Sequence, residues 1–565
     1  MRIQYLNLAL GLALSCACWG DVTSSLNRVE GLAQTTGDGA GAIASVNSLA
    51  TDAGIKAFEA GGNAIDAAAA VAFTLGVVDS PNSGIGGGCF ILVRWADGRI
   101  EAIDGREMAP IKATGDMFLV KGRAEPSLSK TGALAIGVPG SVAALEYLVK
   151  KGGKRQWKEP LLAAAKLAED GFTLDDLYAA RLARTAPKLA QFPASAKVFL
   201  KKDGSGLSSG DVLKQSDLAA TYRKLAANGS DYFYRGEFAQ KVGHWMQQNA
   251  GIVTAKDFAG YQLLKRKPVE STFRGYTIVG FPPPSSGGTH VAQILNMLES
   301  YPLKTMTEAD RYHYTIESMK RAFADRAYWL GDADFADVPR GLLDKGYAKS
   351  LATGINPLKA SKVAGHGTPP AAATNLFNRH TTHIAVADKE GNWVAITTTL
   401  NTGFGSKVTI PGTGVLMNNQ MDDFAVQAGS ANAFGLLGDQ ANRVEAAKRP
   451  LSSMSPTLVL KENKPVMTLG AAGGPTIINQ VVQVLINKLA LDMNAEDALE
   501  APRVHQQWTP ETTYIDAYVS ASLRKKLEGR GHKIANWPSF GATQLIVLEE
   551  GKLVPIAEPR LKTRM

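Results

Sequence analysis

Cysteine is the scarcest residue of reactive chemistry in this chain, with three in 565 positions: Cys16, Cys18 and Cys89. Three thiols build no disulfide framework, and their spacing matches no structural zinc site, which excludes stapled and metal-held architectures. Histidine is sparse too, with eight, and no pair has the spacing of a metal-binding helix. Beyond the first twenty residues no apolar run is long enough to span a bilayer. No repeat of fixed period is present, so solenoid and propeller folds are set aside. The glycine loop at Gly84 to Gly88 runs into a strand, with no Lys-Ser/Thr pair after it. It therefore meets neither the P-loop nor the dinucleotide fingerprint and reads as close backbone packing. What remains is an ordinary globular composition, 45% hydrophobic and 20% charged with mean hydropathy −0.07, neither disordered nor collagen-like. At about 150 residues per domain the length suits roughly four small domains or one large layered one. A formal charge of +9 suggests a basic surface, a general attraction for anions and no more.

The chain opens MRIQYLNLALGLALSCACWG, with one positive charge at Arg2 and an apolar stretch from Leu6 to Ala17. That is the pattern of a secretory signal peptide of about twenty residues. Cleavage after Ala17 or Gly20 fits, a lipid-anchored Cys16 or Cys18 fits poorly, and a buried amphipathic helix is the alternative. Removal of residues 1–20 leaves Cys89 as a single thiol. The expected location is secreted, the periplasm for a bacterial source.

From Ala53 to Val78 the text reads as two helices broken at Gly61-Gly62, the second so alanine-rich that it belongs in the interior. SGIGGGCFILVRW is a loop entering a strand, and GRIEAID pairs with it as a hairpin. Residues 138 to 350 look largely helical. Residues 355 to 378 are rich in Pro, Gly, Ala and Thr without periodicity, so they read as a mobile surface segment. The character then changes: THIAVADKEGNWVAITTTL is two alternating strands around a turn at Lys389 to Asn392, and strands follow at Pro456 to Leu460 and Pro465 to Leu469. A β-rich unit begins near Thr381. Residues 381–565 carry 18 basic and 17 acidic side chains, so nearly all the excess charge precedes them.

Taken alone, Thr381-Thr382-His383 at a strand start is β-propensity. Behind an unpatterned segment it is also what a self-cleaving precursor needs. Scission before Thr381 frees an α-amine of pKa about 7.7–8.0, partly unprotonated at neutral pH. That amine serves as general base for the hydroxyl of its own residue, activating an otherwise poor nucleophile.

The block TTHIAVADKEGNWVAITTTLNTGFGSKV, followed by NNQMDDF, KRPLSSMSPT and AAGGP, closely resembles the γ-glutamyltranspeptidase (glutathione hydrolase) family. AGGNAIDAAAA, DSPNSGIGGGCF, DGREMAP and FPPPSSGGTH extend the resemblance upstream, so that it covers the chain from about residue 40 onward. It implies an N-terminal-nucleophile hydrolase, an α+β four-layer αββα sandwich. The precursor is cut between His380 and Thr381 into a large subunit, 21–380, and a small subunit, 381–565, which pair as a heterodimer. Thr381 becomes the nucleophile that takes the γ-glutamyl group as an ester. Thr399 orients it, and Gly473 and Gly474 supply the oxyanion-hole N–H groups.

By the same resemblance Arg106 pairs with the donor α-carboxylate, assisted by Ser452 and Ser453. Asn401, Gln420 and Asp423 hold the α-ammonium. Phe434 occupies the aromatic lid position, often a tyrosine, within the loop between Asp423 and Lys448. No organic cofactor or catalytic metal is implied. The partners implied are glutathione and related γ-glutamyl compounds, with water, amino acids or dipeptides as acceptors, and no nucleic acid. Two other readings stand beside this one. A glutaryl (cephalosporin) acylase of the same superfamily shares the nucleophile but has a substrate without an α-ammonium, which the Asn401, Gln420, Asp423 set argues against. A non-catalytic periplasmic protein that binds γ-glutamyl compounds is argued against by Thr381, Thr399 and the Gly473-Gly474 pair.

Overall fold

The computed structural model describes residues 31–370, 382–427, 429, 431–537 and 541–564. The leader at 1–20 and the cut at His380 and Thr381 lie outside the described residues. Strands β1 (Ala33–Thr35), β2 (Gly41–Ala44), β3 (Gly88–Arg94), β4 (Ile100–Gly105) and β5 (Leu264–Arg266) join β8 (His383–Asp388) and β9 (Trp393–Thr399) in one sheet. Its order is β1-β2-β8-β9-β3-β4-β5, antiparallel throughout. A second antiparallel sheet runs β6-β7-β10-β11-β12-β13, from β6 (Val269–Phe273), β7 (Tyr276–Gly280), β10 (Thr457–Lys461), β11 (Lys464–Gly470), β12 (Gln544–Glu549) and β13 (Lys552–Ala557).

Side-chain alternation sorts these strands into four layers. Ala42, Ala44, Phe90, Leu92, Ala385 and Ala387 face Val279, Phe281, Leu458 and Ile546 between the sheets, where Phe90 and Phe281 stack with centroids 4.2 Å apart. The other face of the first sheet, with Ile43, Ile91, Val93, Ile384, Val386 and Ile396, packs beneath helices α1 (Ser48–Glu59), α2 (Ala64–Val78) and α3 (Ser141–Gly152). Helix α4 (Asp176–Leu189) joins this side. Ile278, Val459, Met467, Leu469, Leu545 and Val547 pack on the opposite side against α5 (Gly287–Leu298), α6 (Glu308–Trp329) and α7 (Thr476–Leu489). This is the αββα sandwich expected.

Helix α2 is buried along its whole length, as its alanines require. It starts at a capping box in which Asn63 and Asp66 bond each other's backbone N–H. Buried Asp66 also accepts from the N–H groups of Lys154 and Arg155. Asp66→Ala strips partners from these donors at about 1–3 kcal/mol each. The expected result is a lower urea midpoint with self-cleavage retained.

Two features differ from the sequence reading. The stretch taken as largely helical contains β5 to β7, because VESTFRGYTIVG alternates around a turn at Arg274-Gly275 and extends an existing sheet edge. The β-rich segment after Thr381 is also no separate unit. Strand β8 pairs with β2 on one side, and β9 with β3 on the other, so the two halves of the chain are interleaved.

The unpatterned stretch has no regular element over 356–370, yet the body holds it: Ala360 N–H donates to Arg530 O, Gly367 N–H to Asp325 Oδ1, and Trp508 Nε1 to Val363 O. Cys89 lies buried inside β3, and burial pushes its thiol pKa up, so it offers no nucleophile. No helix among the described residues is long and apolar enough to cross a membrane.

Candidate active site

Strand β4 ends at Gly105, which sets Arg106 into the interior with no side-chain exposure. Its backbone N–H is fixed by Asp104 Oδ1 at 3.0 Å. Burial raises the Asp104 pKa, but Arg449 and Arg266 outweigh it and hold that carboxyl below its ordinary value. The Arg106 guanidinium donates from Nη2 to Asp423 Oδ2 at 2.6 Å, from Nη1 to Glu107 Oε2 at 3.3 Å and from Nε to Pro450 O at 3.2 Å. The two groups expected to read opposite ends of an amino acid thus pair with each other across a buried space.

Asp423 closes a single 3-10 turn, Gln420–Asp423. Gln420 Nε2 donates to its Oδ2 at 3.2 Å, and Asn432 Nδ2 to its Oδ1 at 3.4 Å. Burial pushes its pKa up, against the pull of Arg106 and Arg326. The turn is set by Asn418, whose Oδ1 accepts from Gly137 and Gln420 N–H and whose Nδ2 donates to Gly86 and Gly137 carbonyls. Two buried acceptors here, Gln420 Oε1 and Asn401 Oδ1, have no donor among the described residues. Asn401 adopts φ +81°; its N–H donates to Thr399 Oγ1 at 2.7 Å and its Nδ2 to Asn419 O at 2.9 Å. The glycine loop serves close packing, as expected: a Cβ on Gly87 would overlap the Thr399 carbonyl oxygen.

Ser452 and Ser453, both buried, follow Pro450 and are held by the PSSGG turn before α5. Ser286 donates from N–H and Oγ to Ser452 O, at 3.1 and 2.7 Å, while Ser452 N–H donates to Pro284 O. Behind them Arg326 of α6 donates from Nε to Ser286 Oγ at 3.2 Å. Burial lowers the Arg326 pKa to about 9, with Asp423 opposing. Sequence reasoning missed Arg326, Ser286, Asn418 and Asn432. Arg326 sits in a charge-rich helix whose Glu317, Lys320, Arg321 and Asp325 are buried too, and its bond to Ser286 is what sets it apart.

Gly473 and Gly474 lie between β11 and α7 at φ +129° and +61°, at a helix N-terminus whose dipole favours negative charge. Thr476 Oγ1 donates to Gly473 O and Gln480 Nε2 to Ala472 O, at 2.8 and 2.9 Å, fixing the turn. The Phe434 ring covers Gly474, and a Cβ there would lie 2.8 Å from Phe434 Cδ1. The residues around Phe434 are held there by Asn432, which also accepts from Phe434 and Leu436 N–H, and by Ala433 N–H donating to Asp422 Oδ2. Thr382, the first described residue after the expected cut, lines one cavity with Gly473. Gly474→Ala introduces left-handed strain and displaces the ring. The strain costs about 1–2 kcal/mol, so a lower melting temperature is expected, and kcat is expected to fall because the retained N–H is moved from its place in the turn; steady-state kinetics beside a thermal melt checks both.

The model of the gamma-glutamyltranspeptidase family matches residues 50–565. The chain is 41% identical over 525 residues to the glutathione hydrolase proenzyme of Escherichia coli (strain K12), covering 92% of this chain and 90% of that one. Among solved structures, the cephalosporin acylase from Bacillus halodurans superposes with a TM-score of 0.85 at 27% identity, covering 97% of this chain and 98% of that one. The Helicobacter pylori gamma-glutamyltranspeptidase is 41% identical with a TM-score of 0.55, covering 56% of this chain and 91% of that one. A match over nearly the whole length, on a sandwich whose interior gathers Arg106, Asp423 and the two serines beside a glycine turn, places this chain in the gamma-glutamyltranspeptidase family.

Proposed function

We propose that the protein is a self-processing γ-glutamyl hydrolase and transferase acting on glutathione and related γ-glutamyl amides. Thr381 attacks the γ-carbonyl, the amine product leaves, and the threonyl ester passes glutamyl to water or to an amino acid or dipeptide. In this reading Thr399 orients the nucleophile, and Gly473 and Gly474 bind the oxyanion. Arg106 with Ser452 and Ser453 takes the α-carboxylate, while Asp423, Gln420 and Asn401 take the α-ammonium. The large and small subunits stay paired after the cut at His380-Thr381, in the periplasm of a bacterial source.

One observation carries this reading. The buried Asp423 carboxylate lies against the Arg106 fork and accepts from Gln420 Nε2, and the Oε1 of that Gln420 and the Oδ1 of Asn401 are buried acceptors with no donor among the described residues. An ammonium brings three donors and no acceptor, and a planar guanidinium suits a carboxylate. The likeness to a cephalosporin acylase favours a second reading, a glutaryl amidohydrolase. A glutaryl group brings no donor for Gln420 Oε1 and Asn401 Oδ1, a cost of about 1–3 kcal/mol for each. Dye release from γ-glutamyl and glutaryl anilides separates the two, with γ-glutamyl expected to be preferred by 10-fold or more on about that energy scale. A gel is expected to show two bands, the smaller beginning Thr-Thr-His-Ile. An uncut, inactive chain would sink the proposal.

Hydrolysis is expected to rise with pH as the freed α-amine loses its proton, with an apparent pKa near its ordinary value of about 7.7–8.0. A pH-rate profile checks it.

A further inference from the structure

A cavity of about 250 Å³ lies beside the glycine turn, lined by Asp79, Asn82, Tyr178, Arg181, Thr382 and Gly473. It contains none of the residues assigned to the γ-glutamyl head. Two of its lining residues carry a buried polar atom with no hydrogen-bond partner among the described residues, Asp79 Oδ2 and Thr382 Oγ1. Such atoms are costly unless a ligand or water meets them. Asp79 Oδ1 accepts from Asn82 Nδ2 at 2.6 Å. The Arg181 guanidinium has one ion contact among the described residues, Asp79 Oδ1 at 3.9 Å, which leaves most of its donors uncommitted. Asp175, the other acid on this wall, caps α4 by accepting from Tyr178 N–H at 2.6 Å.

We infer that this cavity is the acceptor site, built for a zwitterionic amino acid or dipeptide whose carboxylate pairs with Arg181 and whose amine donates to Asp79 Oδ2 and Thr382 Oγ1. The inference rests on the proposed γ-glutamyl transfer and adds where the second substrate sits. Because Gly473 belongs both to this wall and to the expected oxyanion turn, an amine held here borders the ester carbonyl. In the transfer the ammonium first loses one proton to solvent; the freed nitrogen pair bonds to the ester carbon, the bond from that carbon to Thr381 Oγ breaks, and a second proton passes to that oxygen. Val46, Val78 and Leu177 give the acceptor's side chain an apolar bed.

The test uses the processed full-length protein with a saturating γ-glutamyl anilide, and compares glycylglycine with its C-terminal amide as acceptors. The amide keeps the amine and lacks the carboxylate. The acceptor KM for glycylglycine is expected to be about tenfold lower than for the amide, an ordinary margin for one added ion pair. In Arg181→Ala the two acceptors converge to within about twofold, and Arg181→Lys restores part of the difference. Discrimination that survives Arg181→Ala, or none in the unmodified protein, overturns the inference while leaving dye release without acceptor intact. Absence of any dye release by the unmodified, processed protein overturns the γ-glutamyl reading, and the inference falls with it.

Discussion

Thr381→Ala is expected to yield a single uncut chain and no measurable γ-glutamyl release. Both losses follow from one missing hydroxyl, because the proposed chemistry uses the same oxygen twice. In the precursor it attacks the carbonyl of His380, and the resulting ester is hydrolysed to free the Thr381 amine. In the processed protein it attacks the donor, with that amine as base. Removing a nucleophile of this kind costs about 10⁶ in rate. Thr381→Ser keeps the oxygen and is expected to cut and to turn over, more slowly. The fold gives the test a second readout. Strand β8 is fixed between β2 and β9, while β6 and β7 of the upstream chain extend the sheet of β10 to β13. The cut pieces therefore share both sheets and the core between them. Unmodified and Thr381→Ala proteins are expected to elute together on gel filtration, as pair and single chain of equal size. A processed and active Thr381→Ala protein would end the assignment.

The parts of this fold that were legible in the sequence are those whose signal is local. The alanine run of α2 declared its burial, and the alternation around Lys389 to Asn392 gave the β8-β9 hairpin. The pairing of β8 with β2 joins residues more than 300 positions apart, and no periodicity encodes it. The strands β5 to β7 were lost in a helix-rich stretch because their short alternating runs gain strand character from the sheet edges they meet. The site divides similarly. Arg106, Asp423 and the serine pair stand in motifs that the family resemblance makes readable. Asn418 and Ser286 lie inside the quoted NNQMDDF and FPPPSSGGTH motifs, yet like Asn432 and Arg326 they do their positioning through burial and bond partners, which their residue types do not announce. Net charge is a poor guide: the excess of +9 precedes Thr381 almost entirely, while the cluster proposed to read the donor head is a buried Arg106 between Glu107 and Asp423.

Arg106 is where that cluster is most exposed to a single substitution. Its guanidinium and the Asp423 carboxylate are both fully buried and 2.6 Å apart. Truncating one partner of such a pair costs about 3–5 kcal/mol, because the other charge is left without compensation. In Arg106→Ala, Asp423 loses its 2.6 Å guanidinium partner, while the neutral amides of Gln420 and Asn432 and the field of Arg326 stay. The donor loses its carboxylate fork at the same time, so kcat/KM is expected to fall about 10³-fold or more. Arg106→Lys separates charge from geometry. An ammonium restores the sign but cannot reach Asp423, Glu107 and Pro450 O together while offering parallel N–H groups to a carboxylate. The lysine variant is expected to keep the fold, shown by normal self-cleavage and a melt lowered less than in Arg106→Ala, and to lose about 10²-fold in kcat/KM, mostly through KM. Arg106→Ala with Asp423→Ala removes both buried charges, so its stability loss is expected to be smaller than the sum of the single losses, the sign of direct coupling. A lysine variant within threefold of the unmodified enzyme on a γ-glutamyl anilide would show that the fork does not read the donor, and the α-carboxylate would have to be sought at another cation.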